Sequence, residues 1–152
     1  MNDVNHAVAE DVAADNMARY YAQHAVEYER IYQKPERQAD LRAIEHWLAE
    51  GPFIGRRVLE VACGTGLHAR LEPGARVVFL DNRYVTGSST PLSRTDARGN
   101  TYQRRRLDDG SIHEVLKNFP TREDSFSVLG PRAANAEWIE YPHYWVLSYE
   151  LN

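Results

Sequence analysis

The sequence predicts an α/β fold, because two helix-like segments come ahead of two strand-like runs. Val58–Ala62 and Ala75–Asp81 are short runs dominated by apolar residues, which is typical of strands buried in a parallel sheet. Segments 16–33 and 36–50 instead repeat apolar residues every three or four positions, as amphipathic helices do. We therefore expect helices packed on a sheet that contains parallel strands.

Length and composition predict one domain. The chain has 152 residues, of which 43% are hydrophobic and 26% charged, close to the average of globular proteins. Residues 1–14 show no clear apolar period and are expected to form a flexible tail, which leaves 15–152 as the single domain. The net charge of -4 gives no general reason to expect a nucleic-acid partner. Arg104–Arg106 is interpreted as part of a solvated hairpin.

The sequence also predicts a cytoplasmic protein without a membrane partner. Its single cysteine, Cys63, excludes an internal disulfide, and the first residues lack the basic and apolar regions of a secretory leader. No apolar run approaches the roughly 20 residues that span a bilayer. The histidines do not have the spacing of metal ligands, so no metal site is expected.

The two predicted helices end at residues that stop helices. Pro35 follows the first helix, and Gly51-Pro52 follows the second. After the strand-like run that ends at Asp81, residues 85–100 are rich in Ser, Thr, Gly and Pro, which predicts a loop.

The remainder of the chain predicts a hairpin, a helix and further strands. Thr101–Leu107 and Ile112–Leu116 flank an Asp-Gly turn signal, which indicates a β-hairpin. Thr121 and Asp124 have the spacing of a capping box, so a short helix is expected from there to Leu129. Segments 137–141 and 144–150 form either two antiparallel strands or one bent strand.

The turn after the first strand-like run has the properties of a ligand-binding loop. Gly64 and Gly66 allow the backbone to approach a ligand closely, and the amides of a following helix can hold a carboxylate or phosphate. Glu60 lies near the end of the strand, where its carboxylate can accept hydrogen bonds from an ammonium group. Ala62 occupies a position where many such loops have a further glycine. The alternative is a tight turn without a ligand.

This segment resembles motif I of the class I S-adenosylmethionine (SAM)-dependent methyltransferases, through the residues Val58-Leu59-Glu60-Val61-Ala62-Cys63-Gly64-Thr65-Gly66. Tyr20–Tyr28 resembles the helix that precedes this motif in small-molecule methyltransferases. Leu71–Asp81 resembles the turn and strand that lead into the fifth strand of the same family.

The resemblance implies that the cofactor is SAM, held by Glu60, Ala62, Gly64 and Gly66. It also implies that Tyr20 and Tyr28 lie on the cofactor side, where one of them covers the SAM carboxylate. The spacing of these tyrosines alone favours packing in the core, because aromatic residues at helical spacing are usually buried.

The chain departs from the family between Gly66 and Leu67, where it lacks the second, third and fourth strands and the helices between them. The fold that the resemblance implies is therefore a reduced Rossmann-like methyltransferase sheet, with N-terminal helices and a C-terminal antiparallel strand pair. Asp81 has two interpretations. The resemblance places it on the substrate side, whereas its distance from Glu60 is that of an acid that binds ribose hydroxyls.

The predicted function is transfer of a methyl group from SAM to a small molecule. The resemblance assigns the substrate side to the residues after the second strand-like run, Asp81, Asn82, Arg83 and Tyr84. No catalytic residue is assigned. The alternative function is that of an inactive methyltransferase remnant that binds SAM or another protein. Under either interpretation we expect a homodimer, because a shortened sheet exposes strand edges.

Overall fold

The computed structural model describes residues 20, 30, 32–55 and 72–152. The chain divides into two compact units. We call Met1–Lys34 with Tyr84–Phe119 the hairpin unit, and Pro35–Arg83 with Pro120–Asn152 the sheet–helix unit. The predicted strand over 58–62 lies outside the described residues, as does nearly all of the predicted helix over 16–33.

Among its described residues, the sheet–helix unit has two α-helices, two short 3₁₀ helices and three strands. In chain order these are a 3₁₀ helix over Pro35–Arg37, α1 (Gln38–Glu50), β1 (Arg76–Asn82), α2 (Arg122–Leu129), a 3₁₀ helix over Gly130–Arg132, β5 (Ala133–Glu140) and β6 (Tyr144–Leu151). The hairpin unit contributes the remaining strands, β2 (Leu92–Thr95), β3 (Thr101–Arg106) and β4 (Ile112–Leu116).

Strand β6 is the centre of the sheet in the sheet–helix unit. The strand order is β1-β6-β5, and both pairings are antiparallel. Along β1 and β6, Val77 lies opposite Tyr149 and Asn82 lies opposite Tyr144. The carboxyl end of β1 therefore lies beside the beginning of β6.

Both faces of this sheet are covered, which explains why β6 is buried along almost its whole length. On one face, Tyr144 and Val146 form a buried cluster with Ile44 of α1. On the other face, the buried cluster is packed against Phe126 and Leu129 of α2. The members of that second cluster are Val77, Trp145, Leu147 and Tyr149. Alternate residues of a strand point to opposite faces, so β6 supplies both clusters.

The predicted capping box at the beginning of α2 is confirmed. Thr121 Oγ1 accepts a hydrogen bond from the Asp124 amide at 3.1 Å, and Asp124 Oδ2 accepts one from the Thr121 amide at 3.0 Å. These reciprocal bonds satisfy amide groups that the first helical turn leaves without partners. The helix ends at Gly130, whose φ of 55° and ψ of -153° lie outside the usual range of other residues.

The hairpin unit has an antiparallel sheet in the order β2-β3-β4. The predicted hairpin is confirmed, and Gly110, with φ of 87°, supplies the positive φ that its turn requires. Strand β2 lies within the segment that the sequence predicts as a loop. Among the described residues of this unit, Tyr20, Leu107 and Val115 form a buried cluster.

The predicted fold class is wrong. The described residues form two small antiparallel sheets with two short α-helices, not a reduced Rossmann-like methyltransferase sheet with N-terminal helices. The apolar run at β1 reflects burial by helices on both faces, and such burial occurs in antiparallel as well as parallel strands. The predicted C-terminal antiparallel pair is present as β5 and β6.

Within the described part of the chain, no helix has the length and apolar character needed to cross a bilayer.

Candidate functional site

The carboxyl end of β1 is held by a network of polar contacts. Asp81 Oδ1 accepts hydrogen bonds from the amide nitrogen of Asn82 at 2.7 Å and from its side-chain Nδ2 at 3.2 Å. Asn82 Oδ1 accepts a further bond from Arg37 Nη1 at 2.5 Å. Asp81 and Asn82 thus form a connected polar pair where the strand ends.

Arg37 is buried although it carries a charge. Its exposed fraction is 1%, and its guanidinium carbon lies 5.4 Å from the centre of the Tyr144 ring. A buried cation requires polar or aromatic contacts to offset its lost hydration. The contact with Asn82 and the aromatic face of Tyr144 supply both kinds of contact.

Arg83 joins the end of β1 to the turn between β5 and β6. Its amide donates to the carbonyl of His143 at 2.8 Å, and Nη1 donates to the carbonyl of Tyr141 at 2.8 Å. Nη2 also lies 3.7 Å from Oε1 of Glu140. These contacts fix the 140–143 turn beside the residues that follow β1.

The same turn is bound from α1 by Asp40. One oxygen of this carboxylate, Oδ2, accepts a hydrogen bond from the His143 amide at 2.7 Å and lies 3.1 Å from His143 Nδ1. The side chains of Asp40 and His143 are 6% and 13% exposed. The structure therefore contains a largely buried carboxylate–imidazole pair next to the end of β1.

Because an ionised carboxylate only accepts hydrogen bonds, the close contact at Nδ1 places a hydrogen on that nitrogen. In the neutral imidazole, Nε2 then carries the lone pair and can accept a proton. Among the described residues, none forms a hydrogen bond with Nε2. This is the relation between a base and the group that orients it.

Tyr141 lies in the electrostatic field of this pair. Burial, the charge of Asp40 and the charge of Glu137 together raise the pKa of Tyr141 above its usual value, in that order of importance. Tyr144, the residue after His143, is 2% exposed, and its hydroxyl has no hydrogen-bond partner among the described residues.

The structure brings together three of the four predicted substrate-side residues. Asp81, Asn82 and Arg83 lie beside the 140–143 turn, as described above. Tyr84 instead belongs to the hairpin unit, where its ring lies 5.4 Å from that of Phe119.

Most residues that the resemblance assigns to SAM, namely Glu60, Ala62, Gly64, Gly66 and Tyr28, lie outside the described residues. Tyr20 is described, and it is buried in the core of the hairpin unit. Its hydroxyl receives a hydrogen bond from Arg105 Nη1 at 3.0 Å, and its ring lies 5.8 Å from that of His113. This environment is that of a core residue, which is the packing that the spacing of the tyrosines alone favours.

Sequence reasoning did not identify Asp40 as a site residue, although the sequence contains a signal for it. Asp40 precedes Ile44 by four positions and Trp47 by seven, so it lies on the apolar stripe of α1. A charged residue on such a stripe needs a buried partner. The partner, His143, is 103 positions away, and no local pattern could identify it.

No group of side chains that could hold a metal ion occurs within the described ranges. Comparisons with models of protein families, with curated proteins and with solved structures found no match for this chain.

Proposed function

We propose that the chain is a SAM-dependent methyltransferase that acts on a small molecule. The observation that carries this proposal is the sequence Val58–Gly66, in which an apolar run with Glu60 is followed by Gly64-Thr65-Gly66. Glycines at this point allow close contact between backbone amides and a ligand. The resemblance to motif I gives that ligand as SAM, which supplies an electrophilic methyl group when it is bound.

The polar groups around the end of β1 support an acceptor site. Asp81 and Asn82 provide hydrogen-bonding groups there, and Arg83 provides a guanidinium that is 38% exposed. These side chains are held by contacts with Arg37 and the 140–143 turn, so their positions are fixed before a ligand arrives. Fixed polar groups reduce the entropy that is lost when an acceptor is oriented.

Two parts of the proposal do not depend on the site. Cys63, the single cysteine, agrees with a cytoplasmic location, where thiols remain reduced. A homodimer is also part of the proposal, because no strand pairs with the outer side of β1 or β5 among the described residues. Light scattering tests the dimer, and a monodisperse monomer would contradict it.

The second candidate is an inactive remnant that binds SAM or a protein partner without catalysis. The fold favours this candidate, because the described residues form two small antiparallel sheets in place of the sheet that the resemblance implies. It also agrees with the burial of Tyr20, one of the residues that the resemblance assigns to the cofactor.

Calorimetric titration with SAM and with its demethylated product tests the proposed ligand. We expect heat with both ligands and a loss of affinity in Glu60→Gln. Glu72→Gln is the matched control, since Glu72 is exposed and lies outside the motif-like sequence Val58–Gly66. SAM should also raise the thermal transition of the wild type, because a ligand bound only by the folded state stabilises it.

A methyl-transfer assay with radiolabelled SAM then separates the two candidates. Label transferred to a small molecule supports the methyltransferase, whereas heat on SAM binding without any transfer supports the remnant. The absence of heat with both ligands would rule out SAM as the ligand of this chain.

A further inference from the structure

Asp40 makes two contacts with His143 in the turn between β5 and β6. To fasten that turn to α1, the bond from the His143 amide to Asp40 Oδ2 at 2.7 Å would suffice. The second contact, from Nδ1 to the same oxygen at 3.1 Å, fixes the imidazole ring and its tautomer. A ring held in this way presents Nε2 in the form that accepts protons.

Each element next to the 140–143 turn, which carries this imidazole, contributes charged or titratable groups. Asp40 and Arg37 come from α1 and the 3₁₀ turn before it, and Asp81 and Arg83 come from the end of β1. The 140–143 turn contributes Glu140 and Tyr141, and the first residue of β6 contributes Tyr144. Among them, Asp40 is the group in direct contact with the imidazole, with 3.1 Å between Oδ2 and Nδ1.

We propose that His143 is the proton acceptor of this site, that Asp40 is its positioning residue, and that the ligand is a small molecule with an aromatic hydroxyl group. The O–H bond of the ligand breaks, its electron pair stays on oxygen, and the proton forms a bond with Nε2. The imidazolium that results lies beside the Asp40 carboxylate. This inference rests on the proposed function, in which the phenolate oxygen is the group that receives a methyl.

The aromatic hydroxyl follows from the acidity that an imidazole can match. An ordinary imidazole has a pKa of about 6.5 and a phenol one of about 10. An uncoordinated water molecule is far less acidic than a phenol. General base catalysis is efficient when the gap between acid and base is small, so a phenol fits this base better than a weakly acidic hydroxyl does. The guanidinium of Arg83 adds a positive charge near the end of β1 that favours a phenolate.

The test uses 4-nitrophenol, whose ionised form is yellow, so that absorbance reports the proton transfer directly. The full chain is titrated into the probe at a pH where most of the free probe is protonated. We expect the bound probe to ionise about tenfold more readily than the free probe. We call this increase in the ionised form the phenolate gain. The gain should disappear in His143→Gln and persist in His46→Gln, because His46 is an exposed residue of α1 that pairs only with Glu50 among the described residues.

Asp40→Asn tests the positioning role. An asparagine can turn an N–H toward Nδ1, which shifts the hydrogen of the ring to Nε2. We therefore expect a smaller phenolate gain, together with ¹⁵N chemical shifts of His143 that move toward the Nε2–H tautomer. If the contact were merely structural, the phenolate gain would stay at the wild-type value while the circular dichroism spectrum stays native, even though the ¹⁵N shifts report the new tautomer.

The unaltered chain provides a second test in case His143→Gln does not fold. Diethyl pyrocarbonate modifies accessible imidazole nitrogen, and mass spectrometry identifies the modified residue. We expect modification of His143 to abolish the phenolate gain and bound 4-nitrophenol to slow that modification. The inference is overturned if the wild type gives no phenolate gain, or if loss or modification of His143 leaves the gain intact.

These experiments contain no SAM, so the inference and the proposed function can fail separately. A phenolate gain without heat on SAM titration supports His143 as the proton acceptor and contradicts the proposal that the chain is a SAM-dependent methyltransferase. Heat with SAM but no phenolate gain keeps SAM as the ligand and overturns the inference about His143. If both succeed, methylation of 4-nitrophenol should fall by roughly 10²–10⁴-fold in His143→Gln and recover as rising pH ionises the probe in solution.

Discussion

Arg105 donates a hydrogen bond from Nη1 to the hydroxyl of Tyr20 at 3.0 Å, across 85 positions of sequence. Tyr20 is 1% exposed, so this bond satisfies a hydroxyl that water does not reach. Tyr144 is nearly as buried, but its hydroxyl has no partner among the described residues. The two tyrosines therefore form a matched comparison for the value of a buried hydrogen bond.

Tyr20→Phe should lower the free energy of unfolding by about 1 kcal/mol, because it removes a satisfied buried hydrogen bond and leaves the ring in place. Tyr144→Phe should leave the free energy unchanged or raise it by about 1 kcal/mol, because it removes a buried hydroxyl without a partner. Urea denaturation measures both changes. Equal losses in the two variants would contradict this account of Tyr144.

The indole rings of Trp138 and Trp145 are stacked, with centres 4.7 Å apart and planes inclined by 12°. Such close and nearly parallel chromophores should couple and produce a paired positive and negative band in the circular dichroism spectrum. Trp138→Phe and Trp145→Phe should each abolish this pair of bands. Trp47→Phe is the control, because Trp47 packs against the cluster on the opposite face of the sheet. Persistence of the bands in Trp138→Phe would contradict the stacking.

The capping box of α2 predicts a dependence of stability on pH. Hydrogen bonds from the amide and then the hydroxyl of Thr121 lower the pKa of Asp124 below its usual value. A carboxyl whose pKa is lower in the folded state stabilises the fold above its unfolded pKa of about 3.9, and this stabilisation is lost as the pH falls through the folded value.

Asp124→Asn should therefore be less stable than the wild type at neutral pH, and the difference should shrink as the solution is acidified below about pH 4. Thermal transitions recorded over this pH range measure the difference. Glu123→Gln is the control, since Glu123 lies in the same turn but outside the capping box. A difference that stays constant down to the lowest pH would exclude the proposed linkage.

Gly130 ends α2 with a φ of 55° and a ψ of -153°. This region is almost exclusive to glycine, so Gly130→Ala should lower the free energy of unfolding by about 1–3 kcal/mol. Val128→Ala, at an 82% exposed position of the same helix, should change it by less than about 0.5 kcal/mol. Chemical denaturation measures both changes. Similar effects of the two substitutions would show that the backbone at position 130 accommodates a side chain without strain.

The sequence predicts the elements of this fold better than it predicts their arrangement. The end of α1 at Gly51, the turn at Gly110 and the capping box of Thr121 follow local rules that involve neighbouring residues. The direction of β1 does not, because it depends on pairing with β6, far along the chain. An apolar run records burial, and burial is the same for parallel and antiparallel partners.

In the candidate site, too, features set by neighbouring residues were predictable and contacts between distant residues were not. The position of Asp81, Asn82 and Arg83 at a strand end was predictable from the apolar run before them. The contact of Arg83 with the 140–143 turn and the contact of Asp40 with His143 were not, since both join distant segments. Only the charge of Asp40 on the apolar stripe of α1 pointed to a buried partner.

The pairing of β1 with β6 has a consequence for the order in which the chain folds. The segment between Arg83 and His143 must close as a loop before these strands can meet, and long loops close at a cost in chain entropy. Strands β2, β3 and β4 lie within that segment and pair with their sequence neighbours. If they fold first, the flexible part of the loop is shorter, and each halving of its length lowers the closure cost by about 0.6 kcal/mol. Early formation of the hairpins would thus speed the assembly of a sheet to which they do not belong.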